Sequence, residues 1–283
     1  MNHLTSLKPI DYLMIGHVTS DIQADKSSKL GGTASFSGLT ANQLGHNVGI
    51  VTSHGLDLDL SPLNALQIIN QNHSVSTSFE NISTPKGRIQ YCYSQAALLT
   101  ASGIPALWKK APIVHLGPII SEISPDLFDS FPDSLLCLTP QGWLRSIDQD
   151  GKVRFRDWPE KETLLPKANA VVLSFEDLQG DERRIEEFAS FCKLLVVTEN
   201  REGARVYWNN DVRNFKAPQK QLVEDTGAGD IFATCFFHRL YTTRDPWEAA
   251  RFAVELSANS VTRRYTESIP TLNEIEMAKI QII

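Results

Sequence analysis

Val223-Glu224-Asp225-Thr226-Gly227-Ala228-Gly229-Asp230-Ile231-Phe232-Ala233 is the stretch on which the reading of this chain turns. Two glycines flank an alanine, a carboxylate follows at once, and an apolar helix is expected to begin there. Small residues let backbone amides approach an anion closely, and the first turn of a helix offers unpaired N–H groups at the positive end of its dipole. Gly227, Ala228 and Gly229 therefore read as an anion hole for a phosphoryl group whose charge grows during transfer. Asp230 stands where a carboxylate can take the proton of an attacking hydroxyl. An ordinary capped turn, with Asp230 favoured by the helix dipole, uses the same four residues, so the tetrapeptide alone leaves both readings open.

Outward from this stretch, short runs of continuous apolarity recur at Tyr12–Ile15, Val48–Thr52, Ile113–Leu116, Leu135–Leu138, Ala170–Leu173 and Leu194–Thr198. Such runs suit strands of a parallel sheet covered on both faces. Helical patterns lie between several of them. In Asp181–Cys192, Asp181 can cap the N-terminus while Ile185, Phe188 and Cys192 share a face. Further helices are expected near Gly229–Thr242 and Pro246–Arg264. Alternating strands and helices imply a doubly wound α/β fold with a mostly parallel sheet. Ala204–Phe215 reads as a hairpin turning at Asn209-Asn210-Asp211. Arg88–Ala96 is polar, aromatic and β-prone, unlike a buried parallel strand. It is assigned, with the stretch around Asp21–Leu30, to a small projecting sheet that could act as a lid. The chain is read as one domain, 1–283, with lid segments near 17–30 and 84–100.

Composition bounds the function classes. The 283 residues are 42% apolar and 21% charged, as in an ordinary folded protein. A net charge of −6 argues against a sequence-independent grip on nucleic acid, which needs a concentrated basic face. Neither a signal-peptide pattern nor a run of 18 apolar residues is present, so no membrane partner and a cytoplasmic location are expected. The four cysteines, Cys92, Cys137, Cys192 and Cys235, are far apart in apolar stretches and read as buried thiols. The seven histidines show no metal-ligand spacing and are given no catalytic work.

Taken together, these motifs resemble the ribokinase-like (PfkB) carbohydrate kinase family. The family's signature D-T-T-G-A-G-D, followed by a helix, matches from Thr226 to Asp230. Near the N-terminus come a strand Tyr12–Gly16, then Asp21, then Gly31-Gly32 opening a helix that ends in Leu44-Gly45, in the family's order. Arg251-Phe252-Ala253 through Val261-Thr262-Arg263 and Ile269-Pro270-Thr271 resembles its last helix and exit. The likeness thus spans nearly the whole chain, and three ordered motifs are more specific than one.

The resemblance implies a ribokinase-like fold and ATP-dependent phosphotransfer, assisted by Mg²⁺, to a hydroxyl of a small polyol, sugar or nucleoside. Asp230 would be the general base, with the amides of Gly227, Ala228 and Gly229 as anion hole. Asp21, Gly31 and Gly32 would hold the acceptor. Thr198, Asn200, Gly203, Thr226, Gly227 and Gly229 would face the nucleotide, and Asp177 would serve the metal. Where many sugar kinases have Asn after the GG pair, this chain has Thr33-Ala34-Ser35-Phe36, so Phe36 is expected to pack a ring face or a flatter acceptor. Arg88, Gln90, Tyr91, Gln141 and Arg145 are candidates for acceptor contact, exposed surface positions being the alternative.

Departures from the family pattern matter. Ser174-Phe175-Glu176-Asp177 replaces an N-x-x-E element, and the first Gly of T-x-G-x-x-G is lost around Thr198–Gly203. Glu224 and Asp225 alter the opening of the signature, and Arg264-Tyr265 follows Val261-Thr262-Arg263 where the family has Gly. A monomer or a homodimer paired through lid edges is expected. A catalytically silent relative that binds a metabolite and regulates is the competing reading. An oxidoreductase would need G-x-G-x-x-G after the first strand, where the chain reads Gly16-His17-Val18-Thr19.

Overall fold

Apolar runs that are buried on both sides must find helices or loops on each face, and the computed structural model shows this arrangement. It describes residues 7–71, 73–84 and 87–280. In chain order the strands are β1 (Tyr12–Ile15), β2 (Thr19–Ile22), β3 (Ser28–Gly31), β4 (Val48–Thr52), β5 (Gln67–Asn70), β6 (Thr77–Thr84), β7 (Gly87–Ser94), β8 (Ile113–Leu116), β9 (Leu135–Leu138), β10 (Arg145–Ile147), β11 (Val153–Phe155), β12 (Ala170–Ser174), β13 (Leu194–Thr198), β14 (Ala204–Trp208) and β15 (Asp211–Phe215). The α-helices are α1 (Thr33–Gln43), α2 (Lys161–Leu164), α3 (Glu182–Phe191), α4 (Ala228–Thr243), α5 (Pro246–Ser260) and α6 (Leu272–Lys279).

Nine strands form the main sheet in the order β15-β14-β13-β12-β9-β8-β1-β4-β5. All neighbours from β13 to β5 are parallel, and the β14–β15 hairpin closes one end antiparallel. Alternation along each strand divides the core. Tyr12, Met14, Ile50 and Val196 face a layer that includes Phe232 and Phe236 of α4 and Phe252 of α5, while Leu13, Ile15, Val51 and Val197 face α3 and a set of tryptophans. In that second layer Trp143 and Trp158 stack 4.6 Å apart at 8°. The hairpin turn falls at Asn209 and Asn210, both at positive φ (51° and 60°), the conformation of a type I′ turn.

A four-stranded sheet, β3-β2-β6-β7, stands apart from the main one. Its strand β7 is extended by the β10–β11 hairpin through a Tyr91–Lys152 bridge and the Cys92 amide donating to Gly151. The chain enters this sheet through a polar knot. Buried His17 shares hydrogen bonds with the Thr77 hydroxyl (2.7 Å) and the Ala97 carbonyl (2.8 Å). Glu122, also fully buried, accepts the amides of His17, Ile119 and Ile120. Buried polar groups survive only when so satisfied.

Several elements differ from what the sequence leads one to expect. The helix expected to reach Arg264 ends at Ser260, because the Val261 carbonyl turns away to accept the amides of Val223 and Glu224. Strands β5 and β6 were not expected; β5 is an edge strand of half-buried residues and β6 carries no apolar run. Cys92, Cys137 and Cys235 are buried and Cys192 half-buried, all as free thiols. Among the described residues no helix is long and apolar enough to cross a membrane.

Candidate active site

The carboxyl-terminal ends of the parallel strands open into a cleft of about 1040 Å³. Such a crevice is where ligands bind in open α/β sheets. Asp230 lines it together with Asp21, Phe36, Gly229 and Thr226. The segment before α4 makes the critical bend. Gly227 is in the left-handed region at φ 80°, and a Cβ there would lie 2.4 Å from Phe36 Cδ1. Only glycine meets both demands. Gly229, by contrast, has nothing within 4 Å of where its Cβ would be, so its backbone is open to the cleft.

The amides of this bend divide in two. Ala228 N–H donates to the Asp225 carbonyl at 3.1 Å. Ala228 therefore contributes small size and not the free donor expected of it. Among the described residues, the amides of Gly229 and Asp230 meet no backbone carbonyl, as the first turn of a helix dictates. They stand at the positive end of the α4 dipole, where unpaired N–H groups can receive an anion.

Asp230 is half-buried, and its carboxyl is pushed up from 3.8 to about 6. Loss of hydration is the largest cause, and the carboxylates of Asp177 and Asp21 add to it. The Thr33 hydroxyl and the Arg145 guanidinium pull the other way. A carboxylate so poised is a stronger base than an exposed one and is ionised at neutral pH.

Across the cleft, Asp21 on β2 accepts the Thr19 hydroxyl at 2.9 Å. Gly31, on the neighbouring β3, lies so close that a Cβ would sit 2.3 Å from Asp21 Oδ2. Gly32 has φ 86° and a Cβ there would meet the His17 carbonyl at 2.5 Å. The glycine pair thus seats Asp21 and turns the chain into α1. Phe36 is only 3% exposed and presses its Cγ–Cδ1–Cε1 edge on Gly227. It lines the cleft and also supports the Gly227 bend.

The projecting sheet roofs this end. Asn81 and Gln90 face each other in the β6–β7 ladder, the Gln90 amide donating to Asn81 at 2.9 Å, and both line the cleft. Tyr91 does not; alternation places it on the other face, stacked with Tyr93 at 6.3 Å. Arg88 lies on β7 opposite Ser83, but its side chain lies outside the described residues. Gln141 and Arg145, from the turn after β9 and the start of β10, complete the wall. Asn81 was missed because β6 was missed; the apolar residues of Thr77–Thr84, Phe79 and Ile82, are three apart and give no alternating signal.

The opposite end is bordered by the loops after β13 and β15. Thr198 donates to the Leu173 carbonyl at 3.4 Å, and Asn200 donates to Glu176 at 2.9 Å. Gly203 is at φ 105°, with the Phe215 carbonyl 1.9 Å from a Cβ position, so the returning hairpin requires glycine there. Leu222, Val254, Ala258 and Val261 give this end an apolar strip suited to a flat ring, while Arg201 and Lys220 are exposed cations on its rim.

Among the carboxylates that line the cleft, Glu176 and Asp177 follow the end of β12. Asp177 closes a capping box with Ser174, its Oδ2 accepting the Ser174 amide at 2.8 Å, and its Oδ1 accepts Gln141 at 3.0 Å. No group of three or more metal-ligating side chains is found among the described residues. This donor set fits Mg²⁺ carried chiefly by phosphate oxygens and water, with one or two carboxylates nearby.

Residues 162–272 match the sequence model of the pfkB family of carbohydrate kinases. No curated protein sequence matches the chain. Among solved structures, a pyrophosphate-dependent kinase of the ribokinase family, complexed with a pyrophosphate analog and myo-inositol, superposes with a TM-score of 0.80 at 20% identity, covering 95% of this chain and 100% of that one. Ribokinase from Thermotoga maritima gives a TM-score of 0.72 at 20% identity, covering 95% and 99%. An uncharacterized sugar kinase from Pyrococcus horikoshii, in complex with ATP, gives 0.75 at 17% identity, covering 95% and 99%. The chain therefore has the ribokinase fold over about 95% of its length, and its residues 162–272 match the sequence model of the pfkB family of carbohydrate kinases.

Proposed function

We propose that the protein is an ATP-dependent kinase acting on a hydroxyl of a sugar, polyol or nucleoside. The observation that carries this reading is Asp230 at the head of α4, beside two amides without backbone partners, in the same cleft as Asp21. The acceptor lies between Asp21 and the Asn81–Gln90 pair, with one hydroxyl directed at Asp230. Asp230 removes the hydroxyl proton as the oxygen bonds to the terminal phosphorus. The bond from phosphorus to the bridging oxygen breaks, and ADP leaves with its electron pair. The amides of Gly229 and Asp230 hold the charge that collects on the transferring group. Arg145 keeps Asp230 ionised and adds positive charge on the acceptor side. Glu176 and Asp177 would stand beside Mg²⁺, which when bound neutralises charge between the phosphates.

A second donor is supported by a specific observation. Arg201 and Lys220 put two cations on the rim of the donor end, a provision that suits pyrophosphate as well as the phosphates of ATP. The similar structure bound to a pyrophosphate analog points the same way.

The test is a panel of polyols, sugars and nucleosides with Mg-ATP or Mg-pyrophosphate, run on wild type and Asp230→Asn. Acceptor-dependent product with either donor, lost by orders of magnitude in the variant, supports the kinase. Equal turnover by both proteins excludes Asp230 as base. Tight metabolite binding without turnover in either selects the silent, regulatory relative.

A further inference from the structure

The loop 261–265, most of which lies within the expected helix Pro246–Arg264, connects the donor end of the cleft to the projecting sheet. On the donor side the Val261 carbonyl accepts the amides of Val223 (2.8 Å) and Glu224 (3.2 Å), the residues that lead into the anion-binding bend. On the acceptor side Tyr265 reaches the projecting sheet. Its hydroxyl donates to Gln23 Oε1 at 2.5 Å, and Gln23 Nε2 donates to the Asp21 carbonyl at 2.9 Å. Its ring lies 3.6 Å under the Lys29 ammonium. Lys29 is the residue directly opposite Asp21 in the β2–β3 ladder. Tyr265 thus grips both members of one cross-strand pair, one through an amide and the other through a ring face.

Two further observations show that this grip is built in. Tyr265 is at φ 47°, a conformation that a bulky residue adopts only when its surroundings impose it. The loop is anchored to the helical layer by Arg263, whose guanidinium binds Glu274 of α6 at 2.7 and 2.9 Å. An anchored loop can transmit position to what it holds. Strand β3 is an edge strand, paired only with β2 in its sheet.

We propose that Tyr265 is a positioning residue that, through Gln23 and Lys29, sets Asp21 in register with the anion-binding bend held by Val261. The inference rests on the kinase reading, because it takes Asp21 as an acceptor contact. Acceptor and donor sites are then coupled: ordering the segment Val223–Gly229 around the donor also orders Asp21, and the reverse holds by linkage.

Tyr265→Phe removes the hydroxyl and keeps the ring, so the fold and the contact with Lys29 should survive. The loss of a net hydrogen bond predicts an acceptor KM raised roughly three- to tenfold, with kcat within about twofold. The donor KM should no longer depend on acceptor concentration. Gln23→Leu breaks the same chain at its other end, and the double variant should be no worse than either single one. Hydrogen exchange, which needs no turnover, should quicken in 19–31 for both variants. Unchanged exchange there with an unchanged acceptor KM, or fully additive effects in the double variant, would overturn the proposal. Faster exchange in 19–31 without turnover by any protein, wild type included, would sink the kinase reading and leave the latch standing.

Discussion

Replacing Asp230 by Asn should make the folded protein more stable while abolishing its proposed chemistry. In the unfolded chain an Asp titrates near its ordinary 3.8, whereas in the cleft the carboxyl of Asp230 titrates at about 6. Folding therefore raises its proton affinity. The stability that goes with the bound proton is complete below about pH 4 and is lost as pH rises through about 6. At about 1.4 kcal/mol per pKa unit, ionised Asp230 costs the native state on the order of 2–3 kcal/mol above that pH. Asn carries no charge and escapes this cost. Urea unfolding of wild type and Asp230→Asn at pH 4 and pH 7.5 measures it: near coincidence at the lower pH, and a gap of roughly 2–3 kcal/mol in favour of the variant at the higher. A variant equal to or weaker than wild type at pH 7.5, or a gap independent of pH, would refute the claim that the carboxyl is held in a poorly hydrated, partly repulsive site.

Three further outcomes follow from the same geometry. Since Asp230 must be ionised to act as base, kcat/KM for the acceptor should rise with pH and level off above about 6, an acid limb visible in a pH–rate profile. Gly227→Ala should cost about 2–4 kcal/mol in thermal or urea unfolding, because it combines a left-handed backbone with a methyl 2.4 Å from Phe36; Gly229→Ala, facing open space, should leave stability within about 1 kcal/mol and act on donor binding alone. Glu248→Ala should cost about 2–3 kcal/mol in urea unfolding, since buried Glu248 joins Arg239 of α4 to Arg251 of α5 through four hydrogen bonds of 2.6 to 2.9 Å.

Where local sequence and tertiary environment agree, the fold is legible. The runs at Tyr12–Ile15 and Leu194–Thr198 are apolar because both faces of the sheet are covered, and both are strands with those bounds. Asp181 caps α3 as its position suggests, accepting the Arg183 amide. Legibility fails where structure depends on partners distant in sequence. β6 has no apolar run because the sheet it belongs to is half-exposed, and its place is fixed by β2 and β7. The α5 end is set by the demand of Val223 and Glu224 for an acceptor, which no pattern within Pro246–Arg264 encodes. At the site, the bend at Gly227 and the helix start carrying Asp230 are legible in their own spacing. The contact of Phe36 with Gly227, across nearly two hundred residues, was not legible in either segment.

The stacked pair Trp143–Trp158 has a use beyond packing. Trp143 sits between Gln141 and Arg145, both of which line the cleft, and its ring is coupled face to face with a second indole. Two chromophores this near and almost parallel share their excited states, so small tilts of the Pro140–Leu144 turn alter near-ultraviolet dichroism and emission. The pair is thereby a label-free optical reporter for any titration that moves this turn.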